Sequence, residues 1–92
     1  MARRESRILR SRGETFRFYY ERGRGDALHI TYRHGTTPED AIATFFEGVT
    51  EPYDPIRQRY ITCTDTLCLY WARHGHDGSI VVISCFVRGD AS

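Results

Sequence analysis

The part of the chain that most constrains the fold is a helix signal that begins at Thr37 and ends at Gly48. The Thr37 hydroxyl can cap the first turn, and Pro38 suits the first helical position, where its missing N–H is not needed. The next two residues, Glu39 and Asp40, place negative charge at the positive end of the helix dipole. Apolar side chains then recur on one helical face: Ile42, Phe45 and Phe46. This pattern predicts a helix whose apolar stripe packs on a sheet.

Segments rich in β-branched and aromatic residues lie on both sides of this helix and predict strands at approximately residues 16–20, 58–64, 67–74 and 79–87. The last three are joined by the short connections 65–66 and 75–78, which predict an antiparallel meander. Residues 27–33 fit both a short helix and a strand, and residues 49–55 read as a loop. We therefore expect an α+β fold with an antiparallel sheet of about four strands and one or two helices on one face.

Charge divides the chain into two parts. All thirteen basic residues are arginines, and eight of them precede Gly25. The first thirteen residues show little apolar periodicity, so we predict a flexible basic arm at 1–13 and a single domain at 14–92. Arginine makes two-pronged contacts with phosphate, which makes the arm a candidate for nucleic-acid binding. A solvated arm that only aids solubility explains the same charge.

No window of the sequence approaches the ~18 apolar residues of a membrane span, and the N-terminus lacks the apolar core of a signal peptide. These features predict a cytoplasmic protein with no membrane partner. The three cysteines, Cys63, Cys68 and Cys85, lie in apolar segments, where reduced and buried thiols are expected. Strict alternation places Cys63 and Cys68 on opposite faces, which disfavours a zinc site. We predict neither a metal nor another cofactor.

Alternation along the last three strands sorts their side chains into two faces. The more apolar set is expected to pack under the helices: Ile61, Cys63, Leu67, Leu69, Trp71, Val81, Ile83, Cys85 and Val87. The other set mixes aromatic, hydroxyl and basic groups: Tyr60, Thr62, Thr64, Cys68, Tyr70, His74, Ile80, Val82, Ser84, Phe86 and Arg88. Such a face suits stacking of RNA bases beside groups that hold phosphate. A half-exposed sheet face or a homodimer interface fits the same composition.

Two local strings carry a resemblance to a known family. The turn Arg33-His34-Gly35 leads into a helix at Thr37-Pro38-Glu39-Asp40-Ala41, and the last strand contains Val82-Ile83-Ser84. Together they resemble the BrnT toxins of the RelE/ParE superfamily over approximately residues 16–89. The resemblance implies a compact α+β fold, an RNA-cleaving toxin and a cognate antitoxin as partner. Such toxins usually carry an arginine directly after Ile-Ser, whereas this chain has Cys85-Phe86 and its next basic residue is Arg88.

A metal-independent ribonuclease needs groups that move protons and a cation that stabilises the phosphate. The candidate catalytic residues are His34, His74, Tyr70 and Arg88, and the candidate substrate-binding residues are Arg33, Tyr60 and Phe86. Both histidines also have structural explanations, at a helix C-terminus and beside an exposed hairpin. We therefore predict a toxin that cleaves RNA. The alternative is a noncatalytic protein-binding module or small inhibitor that uses the same face.

Overall fold

A computed structural model describes residues 5–89 of the chain. Its elements, in chain order, are β1 (Ser6–Ser11), β2 (Glu14–Tyr19), α1 (His29–His34), α2 (Pro38–Glu47), β3 (Val49–Thr50), β4 (Tyr60–Cys63), β5 (Leu67–Arg73) and β6 (Ile80–Val87). One sheet contains all six strands in the order β1-β2-β6-β5-β4-β3. The predicted α+β class is confirmed, as is the antiparallel meander of β4, β5 and β6. The sheet is larger than predicted and is mixed, because β2 and β6 run parallel.

Two strands lie where none was predicted. Strand β1 covers six residues of the predicted flexible arm and pairs with β2 across the turn Arg12-Gly13. Both turn residues have positive φ (51° and 82°), the conformation of a tight hairpin turn. Leu9 packs against the core, so the arm is part of the sheet from Ser6 onward; its first four residues lie outside the described part of the chain. Similarly, β3 pairs with β4 inside the predicted loop.

Helix α2 forms as the sequence predicts. Thr37 Oγ1 accepts a hydrogen bond from Asp40 N at 3.1 Å, and Asp40 Oδ2 accepts one from Thr37 N at 2.9 Å. This reciprocal capping satisfies two backbone donors that the first turn leaves unpaired. Phe45 meets Trp71 edge-on at 4.9 Å between ring centroids. The predicted apolar stripe therefore covers the sheet, with all three members packed against the core: Ile42, Phe45 and Phe46.

The position after α2 requires glycine, Gly48, because space is short there, and not because of a left-handed backbone. Its φ is −83°, but a Cβ atom here would lie 2.8 Å from the carbonyl oxygens of Cys63 and Thr44. Backbone atoms at that distance cannot move away cheaply. We expect Gly48→Ala to destabilise the protein by about 1 to 3 kcal/mol, the usual cost of overpacking. Chemical denaturation measures this loss, and Gly75→Ala, which meets nothing within 4 Å, is the matched control.

The face predicted for β4 is wrong, and the turn that follows it is the reason. Because Asp65-Thr66 is a two-residue turn, Cys63 lies opposite Cys68 and Thr62 opposite Leu69. Odd-numbered residues of β4 therefore share a face of the sheet with even-numbered residues of β5. Thr62, predicted to be on the open face, is fully buried on the helix side, where its hydroxyl accepts a hydrogen bond from Trp71 Nε1 at 2.8 Å.

The face predicted for the first half of β6 is also wrong. The register shifts between Tyr70 and Trp71, which pair with Ser84 and Val82, so that Ile83 is an extra residue in β6. Such a bulge reverses the alternation on one side of it. The core therefore takes Ile80, Val82 and Cys85, which are buried, while Ile83 is 36% exposed on the open face.

The register also decides the state of the cysteines. Cys63 and Cys68 share a face, their Cα atoms are 4.1 Å apart, and they form a disulfide. The expectation of reduced thiols is therefore wrong for this pair, because the two-residue turn brings them together. Cys85 is free and buried, and burial raises the pKa of its thiol to about 11.

Within residues 5–89, ten buried residues form the core cluster between the helices and the sheet: Phe16, Phe18, Leu28, Ile30, Ala41, Leu69, Trp71, Ile80, Val82 and Cys85. Helix α1 contributes only Ile30 to this cluster and lies mainly against β6 and β2. Within residues 5–89, neither helix has the length and apolar character needed to span a bilayer. The face of the sheet opposite α2 is not covered by that helix and carries side chains of mixed character, such as Tyr70, Ile83 and Ser84.

Candidate functional site

Helix α1 fills a gap at the edge of β6. Strand β2 pairs with β6 only as far as Val82, so the edge of β6 beyond that residue needs another partner. The Thr36 hydroxyl donates to the carbonyl of Cys85 at 2.8 Å and so ties the end of α1 to this edge. The helix ends at Gly35, whose φ of 71° turns the chain sharply. The ambiguous segment is thus helical over residues 29–34.

An open cleft of about 310 Å³ lies between α1 and the uncovered face of the sheet. Tyr70 and Ser84 are cross-strand partners on β5 and β6 and form part of its floor. Its volume lies at the small end of the range typical of ligand pockets. The cleft is lined by His29, Arg33, His34, Arg59, Tyr70, Ile83 and Ser84.

Two histidines from α1 stand side by side in the cleft. The rings of His29 and His34 are 6.3 Å apart between centroids and nearly perpendicular. His34 Nε2 lies 3.1 Å from Ser84 Oγ, and the imidazole packs against Phe86. His29 Nδ1 lies 2.7 Å from Glu21 Oε1, which orients the ring and leaves Nε2 as the nitrogen for a further contact. Two proton-transfer groups therefore face one small space.

Glu21 anchors the polar side of α1. Its Oε2 accepts hydrogen bonds from Arg33 Nη2 at 3.0 Å and Nε at 3.3 Å, while Oε1 contacts His29. The hydrogen bonds from Arg33, and secondarily from His29, lower the pKa of Glu21 to about 2. Since this value lies below the ordinary 4.5, the carboxylate stabilises the fold above pH 4.5 and loses that contribution as the pH falls toward 2.

A second arginine covers the opposite wall of the cleft. The guanidinium of Arg59 stacks on Tyr70 with its central carbon 3.6 Å from the ring centroid, and Tyr70 meets Phe86 edge-on. The Nε atom of Arg59 is buried, and no hydrogen-bond acceptor reaches it within the described chain. A buried donor of this kind is costly unless an acceptor binds to it. This wall therefore combines an aromatic platform with an N–H group that lacks an acceptor.

The structure brings together only some of the residues predicted from sequence. Arg33, His34 and Tyr70 line the cleft, and Phe86 lies buried beneath it. Tyr60 belongs to the other side of the sheet, where it stacks on Trp71 at 4.4 Å, because the β4 face is reversed.

Two predicted catalytic residues lie at opposite ends of the sheet. His74 follows β5 and contacts Asp77 in the hairpin before β6. Arg88 follows β6 and donates to the carbonyl of Thr64 at 2.9 Å. Each is four residues from the Tyr70–Ser84 pair, about 13 Å along a strand, so neither joins the cleft.

Three polar residues of the cleft were not predicted from sequence as functional: His29, Arg59 and Ser84. A signal for His29 was present, because the helical alternative for residues 27–33 puts His29 and Arg33 four apart on one face. A signal for Arg59 also existed, since the two-residue turn places Ile61 opposite Tyr70 and therefore puts residue 59 on the same face. The contact of His34 with Ser84 depends on how α1 docks, which no local pattern encodes.

Within residues 5–89, no group of three or more His, Cys, Asp and Glu side chains is arranged to hold a metal ion. The cleft instead offers two imidazoles, two guanidiniums, a phenol and a hydroxyl. This set can exchange protons and bind an anion. Compared with protein-family models, with curated proteins and with solved structures, the chain has no match.

Proposed function

We propose that this protein is a toxin-type ribonuclease that cleaves RNA without a metal ion. The observation that carries the proposal is the pair His29 and His34, whose rings are 6.3 Å apart in a cleft that also holds Arg33 and Arg59. Cleavage of an RNA phosphodiester requires one group that accepts a proton and one that donates a proton on opposite sides of the phosphate. Two adjacent imidazoles can supply both roles.

The proposed mechanism is an attack of the ribose 2′-hydroxyl on the neighbouring phosphorus. His34 Nε2, which contacts the Ser84 hydroxyl at 3.1 Å, is positioned to remove the proton of a hydroxyl that binds there. The 2′-oxygen forms a bond to phosphorus while the bond to the 5′-oxygen breaks, and His29 Nε2 gives a proton to that leaving oxygen. The products are a 2′,3′-cyclic phosphate and a free 5′-hydroxyl.

The arginines supply the charge that the phosphate requires. Arg33 is 57% exposed even though it contacts Glu21, so its remaining N–H groups are accessible to an anion. The guanidinium of Arg59 offers a second cation on the other wall. Preorganised donors of this kind stabilise charge that develops in the transition state. In this arrangement Tyr70 lies below Arg59, and its ring supports the guanidinium from beneath.

As a toxin, the protein would act on cytoplasmic RNA and would need a cognate antitoxin that blocks the cleft. Induced expression is then expected to arrest growth, and His34→Ala to relieve the arrest. A noncatalytic protein-binding module remains the second candidate, because the cleft is bordered by Ile83, an apolar side chain that is 36% exposed. This module would bind a protein partner through the same face without cleaving RNA.

The test uses purified protein, a single-stranded RNA oligonucleotide and buffer that contains a chelator. We expect cleavage with 2′,3′-cyclic phosphate ends, identified by mass spectrometry. The matched control is the same oligonucleotide with 2′-deoxyribose at the cleaved position, which lacks the nucleophile and should remain intact. Cleavage of the deoxy substrate would contradict the mechanism, and an inert wild-type protein would favour the protein-binding module.

A further inference from the structure

The outer edge of β1 is a second surface with specific chemistry. Strand β1 ends the sheet, and no other strand within residues 5–89 pairs with its outer side. In a hairpin with a two-residue turn, hydrogen bonds to the neighbouring strand come from alternate residues, beginning with Ser11. The bond from Tyr20 N to Glu5 O continues that series. The backbone groups of Ser6, Ile8 and Arg10 therefore point away from the protein.

A groove of about 360 Å³ runs beside this edge, between β1 and α2. Its apolar floor contains Leu9, Ile42 and Phe46. Glu39 and Glu47 line the helix side, and Arg10 and Arg12 line the strand side. An open strand edge beside such a groove is suited to a further strand, which bonds to the edge and inserts alternate side chains. The acidic side chains lie only on the helix side, so a basic side chain of the occupant should lie against α2.

We propose that the occupant is β1 of a second copy of this protein, in an antiparallel arrangement about a two-fold axis. The axis passes beside Ile8, so that Ile8 faces Ile8 of the second copy and Ser6 faces Arg10. Both members of each facing pair point their backbone groups outward, so each pair exchanges two hydrogen bonds. Ile8 is 42% exposed in the single chain and becomes covered in this arrangement.

The same register pairs opposite charges on the groove side. It sets Arg7 of the second copy opposite Leu9, in the groove that Glu39 and Glu47 border. Arginines on an edge strand normally oppose such pairing, because two copies repel each other. Here each Arg7 instead meets the acidic side of the other copy's α2. The open edge of β1, the exposed Ile8 and the acidic side chains of α2 thus favour the same partner. None of these features belongs to the cleft.

Sedimentation equilibrium of the full chain, from micromolar to near-millimolar concentration, tests the proposal. We expect wild type to form a dimer of the 10.7 kDa chain. Ile8→Pro removes an outward N–H without removing a bond to β2, so it should weaken the dimer more than about tenfold. Ile8→Val keeps that N–H and should dimerise as wild type does. Circular dichroism checks the fold of each variant.

A set of charge-reversal variants tests the proposal without relying on Ile8→Pro. Arg7→Glu should weaken the dimer about tenfold, and combining it with Glu39→Arg and Glu47→Arg should restore wild-type affinity. Arg22→Glu makes the same charge change in an exposed turn and should have no effect. A wild type that stays monomeric throughout, an Ile8→Pro variant that folds and dimerises normally, or a charge reversal without rescue would each overturn the proposal.

Discussion

Replacing either histidine of the cleft, in His34→Ala or His29→Ala, is expected to slow RNA cleavage by about a hundredfold or more, because loss of one general acid or base removes that much rate. The two rings are 6.3 Å apart and belong to one short helix. Neither ring is in the core cluster. Initial rates on a defined RNA oligonucleotide, compared at equal protein concentration, measure the loss.

The matched controls are the two residues that sequence patterns favoured but the structure leaves outside the cleft. His74→Ala removes an imidazole from the β5–β6 hairpin, and Arg88→Ala removes a guanidinium from the far end of β6. Both should retain wild-type rates. A rate loss in His74→Ala that equals the loss in His34→Ala would move the site to the hairpin. Circular dichroism excludes unfolding as the cause in each variant.

Loss of the Phe16 ring should have the largest effect on stability. Phe16 is fully buried and meets Phe45 edge-on at 5.3 Å and Phe46 at 6.0 Å. Truncation of such a residue to alanine typically costs about 3 to 5 kcal/mol, out of a total of about 5 to 15 kcal/mol for a small domain. The expected fall in the melting temperature of Phe16→Ala is more than about 10 °C.

The control for Phe16→Ala is an apolar truncation on the surface. Ile56 is 88% exposed, so Ile56→Ala should change the free energy of unfolding by less than about 0.5 kcal/mol. Urea titration compares both variants with wild type. Equal midpoints for Phe16→Ala and wild type would show that the contacts between β2 and α2 do not hold the fold together.

Sequence patterns correctly predicted the helices and turns that are stabilised by residues close together in the chain. The start of α2 follows from the side chains of Thr37 and Asp40, which bond to each other's backbone three residues away. The hairpin between β4 and β5 follows from Asp65-Thr66. The strands β1 and β3 were missed, because each is stabilised by its partner strand more than by its own composition.

The candidate site shows the same division. Tyr70 and Phe86 were predicted on one face because both lie beyond the bulge, where simple alternation still holds. Simple alternation placed Tyr60 on the wrong face, because the two-residue turn puts Tyr60 opposite Trp71 and therefore on the helix side of the sheet. His74 and Arg88 have suitable side chains, but they lie at opposite ends of the paired strands β5 and β6, away from Tyr70. Residue type alone therefore could not select the members of the cleft.

By itself, the sequence determined the capped helix α2, the meander of the last three strands and the chemical types available for a site, because these depend on neighbours along the chain. Tertiary structure alone decided the bulge at Ile83 and the contact of His34 with Ser84. Those features depend on register and on the docking of α1 against β6, where a shift of one residue turns a side chain to the other face of the sheet.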